Sequence, residues 1–244
     1  MSALASGFST QSDEANVRDH LLQHRHRKWG FVIYRCTYEA DADWARFMAI
    51  VSARARDGLE SSDAPDILRM HHWRVFDDRK QFDGASKDHV RRHFRSWCAS
   101  DEAMAEQYRI DSQPVRPDGL DTMLGMTPRY TYCIHVDAES LRSVIHDGPQ
   151  PPDHDLHGVG WVALIDSHWQ MPNPETFDFE GNGLDPETDD PTDEGEVPVE
   201  GCRLYEVGWM RMGTQSIGVP AYAFLQRPGL FYAAYQRPPD VWVR

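Results

Sequence analysis

The sequence predicts an α+β fold: a ferredoxin-like antiparallel sheet made of two βαβ halves, with an extra helix, an acidic loop insertion and a C-terminal β extension. Three observations lead there. Apolar periodicity runs along the chain as strand, helix, strand, then a helix, then strand, helix, strand. The stretch Trp29 to Tyr38 (Trp-Gly-Phe-Val-Ile-Tyr-Arg-Cys-Thr-Tyr) is dense in β-branched and aromatic residues, as a central strand should be. After Tyr38 come Glu-Ala-Asp-Ala-Asp, acidic where a doubly wound parallel sheet with a dinucleotide site carries glycines. That absence favours the antiparallel arrangement over the doubly wound one.

Residues 1–12 are small and polar, the composition of a disordered tail, and 13–244 read as a single domain. From Asp13, Val17, Leu21 and Leu22 share a helix face, and the basic cluster Arg25 to Lys28 suits the C-terminus. The first strand, 29–38, follows. Trp44, Phe47, Met48 and Val51 make the next helix amphipathic; Asp41 or Asp43 suits its N-cap and Gly58 its end. Ile67 to Phe76 alternates and predicts a second strand. Ser86 caps a helix to about Cys98, burying Val90, His93, Phe94 and Trp97, with Asp101 to Tyr108 as its extension. Residues 111–128 are an aperiodic connection. Arg129 to Val136 is a third strand, Asp137 caps a short helix burying Leu141, Val144 and Ile145, and Val159 to Trp169 is a fourth strand. Residues 171–201 are acidic, Pro-rich and poor in apolar residues, which predicts a mobile insertion. Cys202 to Met212 reads as a fifth strand. Residues 222–225, 230–235 and 241–243 read as short strands or docked coil, punctuated by Pro220, Pro228 and Pro238-Pro239.

Charge narrows the function classes. Residues 1–100 carry 16 Lys+Arg against 14 Asp+Glu, and the remainder 9 against 25, so the body is acidic. Eleven of those acids lie between Pro172 and Glu200, a segment with no Lys or Arg. The arginines Arg91, Arg92 and Arg95 fit a solvated helix face better than a phosphate track, so no nucleic-acid partner is expected. An acidic body also disfavours anionic membranes, and no apolar run reaches the roughly 18 residues of a membrane span. The N-terminus lacks a basic, apolar leader, and Cys36, Cys98, Cys133 and Cys202 are scattered. A cytoplasmic protein with free thiols is the expectation.

In the predicted sheet the first and third strands are central, the fourth lies beside the first and the second beside the third. One face is under helices and the other is open. Polar residues within the strands then converge on the open face. His135, Asp166 and His168 are the candidate catalytic residues: a neutral-range imidazole oriented by a carboxylate. Arg35, His72 and Arg74 are the candidate substrate-binding residues, with Arg35 either holding a substrate oxyanion or neutralising Asp166. A one-residue register error reverses the face of each strand.

Metal patterns are weak. His20 and His24 have helical i, i+4 spacing without the Glu of an HExxH motif, and His154 and His157 share a Pro-rich loop. The run Asp185 to Asp193 lacks the central Gly and terminal Glu of a calcium loop. No metal and no cofactor is expected. There is no GxSxG, and Cys36 and Cys133 read as small buried thiols.

The Trp29–Tyr38 run, the strand-and-helix unit from Tyr130 to Val144, and Val207-Gly-Trp-Met-Arg together resemble a large family of uncharacterised filamentous-fungal proteins. The similarity covers most of 29–212. It implies a fungal, intracellular protein and transfers no activity or functional residue. The functional expectation is therefore built on the residues. It is a small-molecule enzyme using general acid/base chemistry, an isomerase, cyclase or dehydratase, with fungal secondary metabolism as its setting. The alternative is a non-catalytic protein whose open sheet face is a homodimer or partner interface.

Overall fold

The computed structural model describes residues 11–106, 127–227 and 229–244. The expectations for residues 1–10, for the connection up to 126, for the helix extension beyond 106 and for Pro228 lie outside the described residues. Six strands form one sheet: β1 (Val32–Arg35), β2 (Arg74–Phe76), β3 (Tyr132–Val136), β4 (Trp161–Asp166), β5 (Trp209–Gly213) and β6 (Val241–Trp242), in the order β2-β1-β3-β4-β5-β6. Strand β1 pairs in parallel with both β2 and β3; β4 is antiparallel to β3 and to β5; β6 is parallel to β5. The helices are α1 (Asp13–Gln23), α2 (Asp41–Arg56), α3 (Arg79–Phe82), α4 (Lys87–Cys98), α5 (Asp101–Met104), α6 (Pro128–Thr131), α7 (Ala138–Arg142), α8 (Val219–Leu225) and α9 (Leu230–Ala234).

The class is α+β, but the sheet is mixed rather than antiparallel, and its order departs from the ferredoxin-like one. Strand β2 lies beside β1 rather than β3, and β4 beside β3 rather than β1. Helix α4, expected as an extra helix, lies in sequence between the edge strand β2 and β3 and packs on the sheet's second face. Val90, Phe94 and Trp97 share a core there with Val32, Tyr34, Cys133, Ala163 and Ile165. The first face carries the larger core: Ile33, Ile134, Val136, Leu164 and Met210 against Val17 and Leu21 of α1, Phe47 and Val51 of α2, Tyr222 of α8 and Phe231 of α9. Among the described residues both faces of the sheet are covered, so the open face on which the convergent site was expected is not found there. Cover on both sides leaves every residue of β1 and β3 buried, including Arg35 and His135.

Local corrections have local causes. Gly30, at φ +100°, interrupts the 29–38 run, leaving Trp29 in an isolated bridge with His71 and the strand proper at Val32. Residues 65–70 form a 3₁₀ turn begun by Pro65, so the second strand shrinks to Arg74–Phe76. The N-cap of α2 is Ala40 rather than Asp41 or Asp43, which fall in the first turn and still complement the helix dipole. Ser12 caps α1 through its hydroxyl on the Ala15 amide. Residues 219–225 and 230–234 are helical. Pro220 sits in the first turn of α8, where a missing N–H costs nothing, so it starts a helix instead of ending a strand.

Residues 171–201 hold neither helix nor strand and are mostly exposed. Their acids make turns: Asp178, Asp185, Asp190 and Asp193 each accept a backbone N–H two or three residues on. The stretch ends in a tight turn, Val199–Cys202, that joins the second core through Val199, Cys202, Leu204 and Val207. Gly208, at φ +72°, follows; a Cβ there would overlap the Trp169 ring. Gly208→Ala is therefore expected to lose about 1–3 kcal/mol in urea unfolding, combining backbone strain and overpacking. An unchanged midpoint would mean that Trp169 is free to move aside.

Candidate functional site

The predicted constellation is not assembled. On β3, Tyr132, Ile134 and Val136 face the first core, while Cys133 and His135 face the second. On β4, Ile165 faces the second core, so Asp166 alternates onto the first face, opposite Tyr132. His135 and Asp166 thus lie on opposite sides of the sheet. Asp166 accepts the His168 amide at 2.8 Å, lies 3.6 Å from the exposed His168 ring, and receives the Tyr232 hydroxyl at 3.4 Å. Beside it, Glu206 is pushed up to about 7 by burial and by the Asp166 charge.

The expected binding residues also separate. Arg35 pairs with Val136 in the sheet and Asp166 with Tyr132, at the other end of β3. Arg35 therefore does not neutralise Asp166. Its guanidinium donates to the Thr37 carbonyl (3.0 Å), Asp41 (2.5 Å) and Asp77 (3.4 Å), and it stacks on Tyr38 and Trp44. It ties β1 to the start of α2. Arg74 pairs with Glu102 at 2.9 Å and covers Phe76. His72 belongs to a third group, built on Arg129 and Glu106, through its carbonyl and its Nδ1.

His135 alone of the predicted set lines a cleft. The cleft has a volume of about 640 Å³ and opens on the second face, between α4 and the 169–207 loop. It lies at the carboxyl ends of β1 and β3, where open α/β sheets place their ligands. His135 is 3% exposed and its Nε2 lies 2.8 Å from the Ala85 carbonyl. A carbonyl only accepts, so Nε2 carries the proton and Nδ1 is left with a bare lone pair. Nδ1 has no hydrogen-bond partner, and Asp137 Oδ2 lies 3.9 Å from it. Burial, then the Lys87 charge, lowers the His135 pKa, keeping the imidazole neutral at pH 7.

Local sequence positions its neighbours. Ser86 caps α4 and so turns Lys87 into the cleft at the helix start; the side chain is 7% exposed. Lys87 Nζ pairs with Glu200, stands 4.0 Å from Asp137 Oδ2, and sits 4.0 Å from the Trp209 ring centre. Asp137 caps α7, its Oδ1 accepting the Ser140 amide at 2.9 Å. Burial opposes its ionisation, but the Ser140 amide, His135 and Lys87 hold the carboxyl below its usual range. Arg91 is committed to the fold: it donates to the carbonyls of Asp166 and Gly208, pairs with Asp88 and lies on Trp169. Cys36 also lines the cleft, but burial and then the Asp137 charge push its thiol up to about 12, so it is no nucleophile at neutral pH.

Sequence reading missed Lys87, Asp137 as a charged neighbour, Glu200, Trp169 and Trp209. A signal existed for two of them. Ser86-Lys87 and Asp137 are helix-start residues, and helix starts after parallel strands are where sites are built. His154 and His157 are exposed, and no group of three or more His, Cys, Asp or Glu among the described residues is arranged to hold a metal ion. No helix of the described residues is long and apolar enough to cross a membrane. Comparison with known protein families, curated proteins and solved structures finds no match for this chain.

Proposed function

We propose that the protein is a small-molecule enzyme using general acid/base chemistry, with His135 as the base and its Nδ1 lone pair as the proton acceptor. The observation that carries this reading is that lone pair: buried and without a partner, on a residue that lines a cleft large enough for a small organic substrate. The neighbours fit the role. Ala85 fixes the tautomer, Asp137 stabilises the imidazolium that forms on proton uptake, and Lys87 supplies a positive charge for an anionic group of the substrate. The reaction class is proton abstraction next to a carbonyl, the step shared by isomerases, cyclases and dehydratases. His135, Lys87 and Asp137 replace the His135, Asp166 and His168 set. Membership of the filamentous-fungal family with the Trp29–Tyr38 motif, and a setting in secondary metabolism, belong to the same proposal.

The test is proton exchange. The protein in D₂O is offered a panel of neutral ketones and keto acids, and loss of the α-proton signal is followed by NMR. At least one class should exchange, and His135→Gln should slow that exchange by about 10²–10⁴-fold, the usual worth of a positioned base. The expected rate falls on the acid side as His135 protonates, because only the neutral imidazole accepts. A folded protein that exchanges nothing, or a His135→Gln variant that exchanges as fast, overturns the reading.

A further inference from the structure

We infer that the substrate carries a carboxylate, that this carboxylate binds at Lys87, and that Glu200 occupies its place in the empty cleft. The inference rests on the cleft being the working site. It starts from a backbone anomaly. Glu200 is one of two non-glycine residues with positive φ among the described residues, at φ 51°, and Gly201 follows at φ 86°. Two successive residues in the left-handed region, closed by reciprocal Val199 and Cys202 backbone hydrogen bonds at 3.0 Å, make a tight hairpin turn. Asn or Gly is the ordinary residue at the first of those positions; a Glu is strained there. The strain sets a carboxylate at the tip of the hairpin, directly on the Lys87 ammonium.

The ammonium is the buried partner and the carboxylate the exposed one, with side-chain exposures of 7% and 54%. Lys87 is therefore held in the cleft wall, whereas Glu200 reaches in from solvent and can leave without unfolding anything. The cleft's other acids are occupied: Asp88 by Arg91, and Asp137 by the cap of α7. An incoming carboxylate meets Lys87 at the start of α4, a 12-residue helix whose dipole also favours an anion there. The exchange of one carboxylate for another conserves charge in the cleft, and the ejected Glu200 returns to water. Trp169 and Trp209 line the same space, so the body of the substrate is flat and apolar. His135 lines the same cleft as Lys87, beside a substrate anchored by its acid group.

Isothermal titration of the full chain with 2-naphthoate, and with 2-naphthalenemethanol as its neutral counterpart, tests this. Wild type should bind the acid and prefer it to the alcohol. Glu200→Gln, at an exposed position, should bind the acid about 10-fold tighter, since the Glu200 carboxylate no longer competes for Lys87. Lys87→Met should abolish the preference for the acid. Equal affinity of wild type and Glu200→Gln for the acid, or no preference for acid over alcohol in either, overturns the inference. The two readings fail separately. Exchange of a neutral ketone through His135 without carboxylate binding removes the carboxylate and keeps the base. Carboxylate binding with no proton exchange from any carbon acid does the reverse.

Discussion

Replacing Arg129 by Met is expected to remove about 3–5 kcal/mol of folding stability, the cost of leaving a buried ion without its partner. Arg129 is fully buried and its guanidinium is spent on the fold. It holds Glu106 through two contacts, at 2.6 and 3.1 Å, and donates to the carbonyls of Gly30 and His72, both at 2.7 Å. Those carbonyls belong to the bridge where the Trp29 segment meets the segment before β2, so one side chain joins the start of β1, α6 and the residues after α5. Glu106 is 5% exposed and also accepts from Lys28 and Tyr130. Burial opposes its ionisation, yet Arg129, Lys28 and Tyr130 lower its pKa to about 2. A carboxyl depressed in the folded state stabilises above its unfolded value near 4.5 and loses that contribution as pH falls toward 2. Urea unfolding at pH 7 measures the loss. The double variant Arg129→Met/Glu106→Gln should recover part of it, because the uncompensated charge is gone. A single-variant cost under about 1 kcal/mol would mean that water reaches Glu106.

Acidification is expected to destabilise the protein well before the paired carboxylate Glu106 titrates. His20, His24 and His26 lie together where α1 meets Thr127, with the His20 and His24 ring centres 4.3 Å apart. Burial, then mutual repulsion, lowers His20 to about 4 and His26 to about 3; burial, then Arg56, lowers His71 to about 4. Each is neutral in the folded protein at pH 7. Below about 6.5 the unfolded chain takes up protons that the folded chain refuses, so stability falls as pH falls until the lowered pKa values are reached. Each such imidazole contributes up to about 1.4 kcal/mol per pH unit, reduced by screening where it is partly solvated. Glu206 works the other way between about 4.5 and 7, since its folded pKa is raised, and it offsets one of these protons. Urea midpoints at pH 7.5, 6.0 and 5.0 should decline steadily, and His26→Gln should flatten the decline. A level profile over that range would show that the cluster opens to water or exchanges protons without unfolding.

Much of the fold was legible because it is written in local chemistry. Ser86 and Asp137 announced α4 and α7 by their capping chemistry, and the helix pattern Trp44, Phe47, Val51 was read with the correct buried face. Where reading failed, two local codes competed. Ile67 to Phe76 satisfies strand alternation, but Pro65 in front of it begins a 3₁₀ turn. Pro220 was weighed as a strand breaker and serves as a helix starter. The ferredoxin-like order failed for a different reason. It assumed one solvated face, although every residue of Val32–Arg35 and Tyr132–Val136 is buried, as in strands covered on both sides.

The same distinction separates what the candidate site owed to sequence from what it owed to space. Spacing and residue type were enough to identify His135 as a strand histidine with chemical potential, Asp166 as a strand carboxylate and Arg35 as a charge in an apolar run. Nothing in the chain order states which face each one takes, because successive strand residues point opposite ways and one residue of register exchanges the two sets. The long-range packing of α4 decided that His135 lines a cleft while Asp166 sits across the sheet. Only the tertiary structure could bring Lys87, Asp137 and Glu200 to that cleft, since Lys87 and Glu200 stand 113 residues apart and meet through the return of a loop to a helix start.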